Sequence, residues 1–102
     1  MLIYLAGPYR GNTEENIRIA DEVSRELWAK GHYVICPHKN TSGFEHDTRI
    51  SIEHIMNGDF IMLSKCDAIV MLPNWDQSEG AKIEHDYAKR NHIPIYDDWR
   101  IL

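Results

Sequence analysis

Two carboxylates stand where the surrounding pattern calls for apolar side chains. Between Ser51 and Lys65, residues Ile52, Ile55, Met56, Asp59, Met62 and Leu63 share one helical face, and Asp59 is the only charge in that stripe. Between Ser78 and Asn91, the face made by Ala81, Ala88 and Asn91 suits close packing, yet Glu84 lies within it. A carboxylate inside an apolar stripe costs free energy unless it is paired or opens onto a cleft. Each has an ordinary alternative. Asp59 can bond a backbone amide or an arginine at the core boundary, and Glu84 can be a solvated residue of a helix that also carries His85, Asp86 and Lys89. Placed on successive helices that flank one predicted strand, the two point to a converging acid/base or nucleophile/acid pair.

Anion-binding features accompany them. Ser78-Glu79-Gly80-Ala81 opens a predicted helix directly after a strand and loop, with a capping hydroxyl and, in Gly80, a residue that lets a ligand approach the backbone. Helix starts of this kind hold phosphate or carboxylate through free amides and the helix dipole, although an isolated Ser-x-Gly also reads as a plain N-cap. The loop from Gly7 to Thr13 supplies Gly7, Gly11 and one cation, Arg10, placed to neutralise the same anion or simply to be solvated.

The elements that must position these residues alternate along the chain. Residues 2 to 6 form an apolar strand closed by Gly7-Pro8, and Asn12 or Thr13 caps a helix that ends at Gly31, with Ile17, Ala20, Val23 and Leu27 as its buried stripe. Residues 33 to 36 form a second strand stopped by Pro37, and 38 to 49 a polar loop. The helix 51–65, a strand 67–72, the helix 78–91, a strand 93–96 and an acidic, aromatic tail complete the order. Short, almost wholly apolar strands are buried on both faces, so the pattern predicts an α/β domain spanning residues 1–102: a small doubly wound, flavodoxin- or Rossmann-like sheet of four parallel strands in the order 2-1-3-4, with helices on both faces. Ligands of such sheets bind outside the carboxyl ends of the strands, where the loops 7–13, 37–49 and 73–80 gather.

Composition narrows the partners. Eleven Lys and Arg against sixteen Asp and Glu leave a formal net charge of −5, which repels a nucleic acid polymer and still permits a small anion. Cys36 and Cys66 have no CxxC partner, and the six histidines show no HxxxH or HxH spacing, so neither a metal nor another cofactor is expected. No apolar run approaches the ~20 residues of a membrane span, and the start of the chain lacks a signal-peptide pattern, so a cytoplasmic location is expected.

The stretches Tyr4-Leu5-Ala6-Gly7-Pro8-Tyr9-Arg10-Gly11 and Asn74-Trp75-Asp76-Gln77-Ser78-Glu79-Gly80-Ala81-Lys82-Ile83-Glu84, with Ala88 and the Asp59 helix, resemble the nucleoside 2-deoxyribosyltransferase superfamily, in particular its short DUF4406-type branch. The resemblance covers nearly the whole chain. It implies a retaining attack on an N-glycosidic bond, with Glu84 as the nucleophile that forms a glycosyl-enzyme and Asp59 positioning substrate and proton transfer. It also implies phosphate contacts from Ser78, Arg10 and Gly11, as in the nucleotide N-hydrolase branch, a pocket-lining Tyr4, and a homodimer or larger homo-oligomer that completes the pocket. Lys82 stands where the hydrolase pattern has a second glycine, and Pro8 is absent from the hydrolase loop. The longer carboxyl-terminal segment of the transferases has no counterpart beyond Asp97, Asp98 and Trp99.

The combined expectation is a hydrolase of the N-glycosidic bond of a (deoxy)nucleoside 5′-monophosphate, taking a small nucleotide or nucleoside and no membrane or nucleic acid. Three other readings compete. A deoxyribosyltransferase would use the same site to pass the sugar to another base. A flavin carrier would use Gly11-Asn12-Thr13-Glu14 and stack Trp75 or Tyr96 on the ring, and a non-catalytic nucleotide sensor would share the scaffold. A receiver domain is disfavoured, because Ala6-Gly7-Pro8 ends the first strand without an acidic pair.

Overall fold

The apolar strands assemble into one open, fully parallel sheet. The computed structural model describes residues 1–102, with β1 (Leu2–Ala6), β2 (Tyr33–Ile35), β3 (Ala68–Met71) and β4 (Ile95–Tyr96) in the order β2-β1-β3-β4, as predicted. Tyr4 on β1 faces Ile35 of β2 on one side and Ile69 of β3 on the other, and Ile69 in turn faces Ile95 of β4. The order reverses between β1 and β3, so the loops leaving their carboxyl ends diverge and open a crevice.

Alternation along β1 divides the core in two. Ile3 and Leu5 pack with Ala20, Val23 and Leu27 of α1 (Thr13–Ala29), whereas Tyr4 and Ala6 pack with Leu63 of α3 (Ile52–Ser64) and with Ala81 and Ala88 of α4 (Glu79–Arg90). Helices therefore cover both faces of the sheet. Ser51 and Ser78 cap α3 and α4 through their side chains, accepting from the amides of His54 and Ala81.

Several local expectations shift. Asn12 stands at the N-cap of α1 but its side chain makes no capping bond; Asn16 instead donates to the carbonyls of Tyr9 and Arg10 and ties down the first loop. The segment expected to be a plain loop after β2 begins with a short helix, α2 (Pro37–Asn40), because proline at a first helical position has its fixed φ and needs no amide partner. A 3₁₀ turn at Phe44–His46 follows it. The last strand is limited to Ile95–Tyr96, since Pro94 has no amide to extend the ladder and contributes only its carbonyl, to the Ile69 amide. In α3 the apolar stripe is incompletely buried, with Ile52 exposed at its start. The tail docks on the α1 side: Trp99 and Leu102 pack against that core, and the Trp99 indole donates to Glu26 at 2.5 Å. No helix is long and apolar enough to cross a membrane.

Candidate active site

A cavity of about 440 Å³ lies at the carboxyl edge of the sheet, where the order reverses. Its lining comes from five places: Leu5 on β1, the first loop from Gly7 to Arg10, α2 and the segment behind it, the start and middle of α3, and the start of α4 from Gln77 to Gly80 with Glu84 one turn further on. This size is ordinary for a small-molecule site. Gly7 is required where β1 gives way to the loop, because a Cβ there would sit 2.6 Å from the Leu72 Cβ. Gly11 turns the loop toward α1 with φ of +95°, a backbone region that side chains disfavour.

Both anomalous carboxylates face this cavity. Asp59 is 6% exposed and Glu84 7% exposed, so each is almost wholly withdrawn from bulk water while bordering the same space. The boundary reading of Asp59 fails, because its buried Oδ1 has no hydrogen-bond partner. Glu84 has one: the buried Tyr4 hydroxyl donates to its Oε2. Burial and the two neighbouring carboxylates hold the Tyr4 phenol well above its ordinary range, so it remains a donor. Burial pushes Asp59 up to about 6. Burial also pushes Glu84 up to about 7, with the Tyr4 hydrogen bond opposing the shift and the Asp59 charge adding to it. Between these two values the pair holds one proton, which lies on Glu84 in the free protein, and the Tyr4 bond favours its transfer to Asp59.

Donors for an anion occupy the adjoining rim. The amides of Tyr9, Arg10 and Gly11 and those of Glu79 and Gly80 donate to nothing within the protein. Ser78 accepts from the Ala81 amide at 3.2 Å and keeps its own hydroxyl proton to give. Arg10 is exposed on the cavity lining, and no carboxylate pairs with it. No three His, Cys, Asp or Glu side chains converge as a metal-ligand set.

Of the residues singled out in the sequence, Gly7, Arg10, Asp59, Ser78, Gly80 and Glu84 line the cavity together. Tyr4 stands behind Glu84 as its support and is not part of the lining, and Gly11 shapes the loop from outside it. Trp75 stacks on His85 with ring centroids 4.3 Å apart, and Tyr96 packs against the α1-side core, so the two aromatic platforms considered for a flavin are engaged elsewhere. Asp97, Asp98 and Trp99 are likewise absent from the lining. Sequence reasoning missed Tyr9, His38 and Glu45. Their signal is weak, since they come from loops and a four-residue helix and have no periodicity to break.

A family model described as "Domain of unknown function (DUF4406)" matches residues 1–97. The chain belongs to the DUF4406 family. Solved structures similar to this DUF4406 protein include a 2-deoxyribosyltransferase from the psychrotolerant bacterium Bacillus psychrosaccharolyticus, at TM-score 0.66 and 23% identity, covering 93% of this chain and 69% of that one. A 2-desoxiribosyltransferase from Leishmania mexicana aligns at TM-score 0.64 and 22% identity over 92% of this chain and 61% of that one. A conserved protein from Enterococcus faecalis V583 aligns at TM-score 0.68 and 21% identity over 93% of this chain and 60% of that one. The DUF4406 chain thus spans about three fifths of the length of the latter two. No curated protein matches the sequence. The resemblance read from the motifs is borne out at the level of family and fold.

Proposed function

We propose that this DUF4406 protein is an enzyme that hydrolyses the N-glycosidic bond of a (deoxy)nucleoside 5′-monophosphate through a glycosyl-enzyme on Glu84. The observation that carries the reading is the pair of buried carboxylates on α3 and α4, facing one cavity, one of them supported by a buried tyrosine. An oxocarbenium-like transition state needs an anion beneath C1′, and a departing nucleobase needs a proton. In the reactive form of the pair, with the proton on Asp59, a charged Glu84 supplies the first and the Asp59 carboxyl the second.

In the first step a Glu84 carboxylate oxygen attacks C1′ while the C1′–N bond breaks. The electrons of that bond leave on the base nitrogen, which takes the Asp59 proton. Water then attacks C1′, the ester to Glu84 breaks, and the water proton passes to Asp59. Free base and sugar 5-phosphate leave, and both carboxyl groups return to their starting states. The 5′-phosphate is received by Arg10, Ser78 and the free amides of the first loop and of α4, a donor set that an uncharged sugar would leave largely unused.

A second reading keeps the site and replaces water by an acceptor base. It is favoured by the names of two structural neighbours, both 2-deoxyribosyltransferases. The deciding experiment incubates the protein with nucleosides and their 5′-monophosphates and follows free base by chromatography. Base released from monophosphates without an added acceptor is expected. Exchange that requires a second base would establish transfer, and inertness toward every substrate would refute both. Arg10→Ala should weaken the use of monophosphates and leave nucleosides indifferent; equal losses on both would remove Arg10 from phosphate binding.

A further inference from the structure

With its phosphate on the anion-binding rim and C1′ over Glu84, a substrate sets its base against the lining that these two do not occupy. That part is formed by α2, the segment behind it and the start of α3. Pro37, Ile55 and Met56 give it apolar surfaces for a flat ring. Its polar side chains share one property: each has its donor committed, or has none to give.

His38 is 4% exposed, and its Nε2–H donates to the Pro8 carbonyl at 2.6 Å. The ring is therefore the tautomer whose Nδ1 is an acceptor, and that buried Nδ1 has no partner. Burial pulls the ring below the ordinary histidine range, which keeps it neutral. Thr41 directs its hydroxyl to the Pro37 carbonyl at 3.4 Å, leaving the oxygen's lone pairs. Glu45 accepts the Tyr9 hydroxyl on Oε1 at 3.0 Å, and its Oε2 has no hydrogen-bond partner. Tyr9 fixes this arrangement. Its ring meets His38 edge-on at 5.9 Å, and its hydroxyl accepts the Gly43 amide at 3.0 Å, clasping the first loop to the segment that carries Glu45.

We propose that His38, Thr41 and Glu45 form an acceptor-only wall that reads the nucleobase and selects bases bearing an exocyclic amino group over their oxo counterparts. An amino group offers two N–H donors at one point and satisfies two acceptors at once. An oxo base brings a carbonyl oxygen against the same lone pairs, and beside the half-buried Glu45 carboxylate this replaces a charge-assisted hydrogen bond by repulsion between two acceptors. Glu45 is the residue that sets the preference, because it contributes a carboxylate oxygen free of any protein donor. The inference rests on the nucleotide reading above.

The test uses binding to the Glu84→Gln protein, which separates recognition from turnover. Titration calorimetry compares 2′-deoxyadenosine with 2′-deoxyinosine 5′-monophosphate, and 2′-deoxycytidine with 2′-deoxyuridine 5′-monophosphate. The amino member of each pair is expected to bind at least about tenfold more tightly. Adding Glu45→Gln, which places an amide donor where an acceptor stood, should bring both ratios toward one. Equal binding within the pairs, or an amino preference that Glu45→Gln leaves unchanged, would overturn the assignment while leaving the nucleotide reading intact. Failure of all four nucleotides to bind would overturn that reading and the base wall with it.

Discussion

The two faces of the sheet use similar apolar material to different ends. On the α1 face the helix buries Ala20, Val23 and Leu27 against Ile3 and Leu5, and every buried helical side chain is hydrocarbon. On the opposite face α3 and α4 bury Leu63, Ala81 and Ala88 in the same manner, and then bury Asp59 and Glu84 as well. Burial on the first face is stabilising throughout. Burial on the second shifts two carboxyl groups upward, which is the signature of charge held at a cost. One face is apolar throughout, and the other holds two carboxyl groups at a cost.

If this contrast is right, substitutions on the two faces should separate activity from stability. The largest effect belongs to Glu84→Gln. In the proposed mechanism it removes the nucleophile and the anion beneath C1′ together, so base release should fall by several orders of magnitude with the circular dichroism spectrum retained. Near-normal turnover would break the comparison. On the α1 face, Leu27→Ala deletes a fully buried side chain and should lower stability by about 2 to 5 kcal/mol in denaturant melts, with the activity per folded molecule unchanged.

A smaller effect, of opposite sign, belongs to Asp59→Asn. Asp59 in the fold titrates near 6, above its ordinary value, so its contribution is fully present below the unfolded carboxyl value and is lost as pH rises through about 6. The variant should therefore equal the parent at pH ~4 and become more stable above pH ~6 by on the order of 1 to 3 kcal/mol. A parent as stable as the variant at neutral pH would show that the carboxylate finds a partner in solution.

The same contrast governs what was legible in advance. Strand order and α1 followed from apolar runs and a 3.6-residue stripe, and Asp59 and Glu84 stood out because a charge interrupts such a stripe visibly. Periodicity did not mark Tyr4, which only the family resemblance named, as a pocket-lining residue. Inside a buried strand a tyrosine is one more apolar position, and only the fold places it 80 residues away against Glu84. Pro37 read correctly as the end of a strand, yet the helix that it starts was missed, and His38 with it. The His38 bond to Pro8 spans 30 residues, and the Glu45 bond to Tyr9 spans 36, both between segments without regular patterning. Periodicity reports burial on one element; contacts between loops leave no such trace.

The glycosyl-enzyme is the centre of the account and can be trapped. A deoxynucleoside 5′-monophosphate carrying fluorine at C2′ destabilises the oxocarbenium-like transition states, so a covalent intermediate that forms is hydrolysed slowly. Mass spectrometry of the intact protein, followed by peptide mapping, should find one fluoropentose phosphate attached to the peptide that contains Glu84 and none on the Glu84→Gln protein. Release of the base with no adduct at any time, or an adduct on a residue other than Glu84, would contradict it.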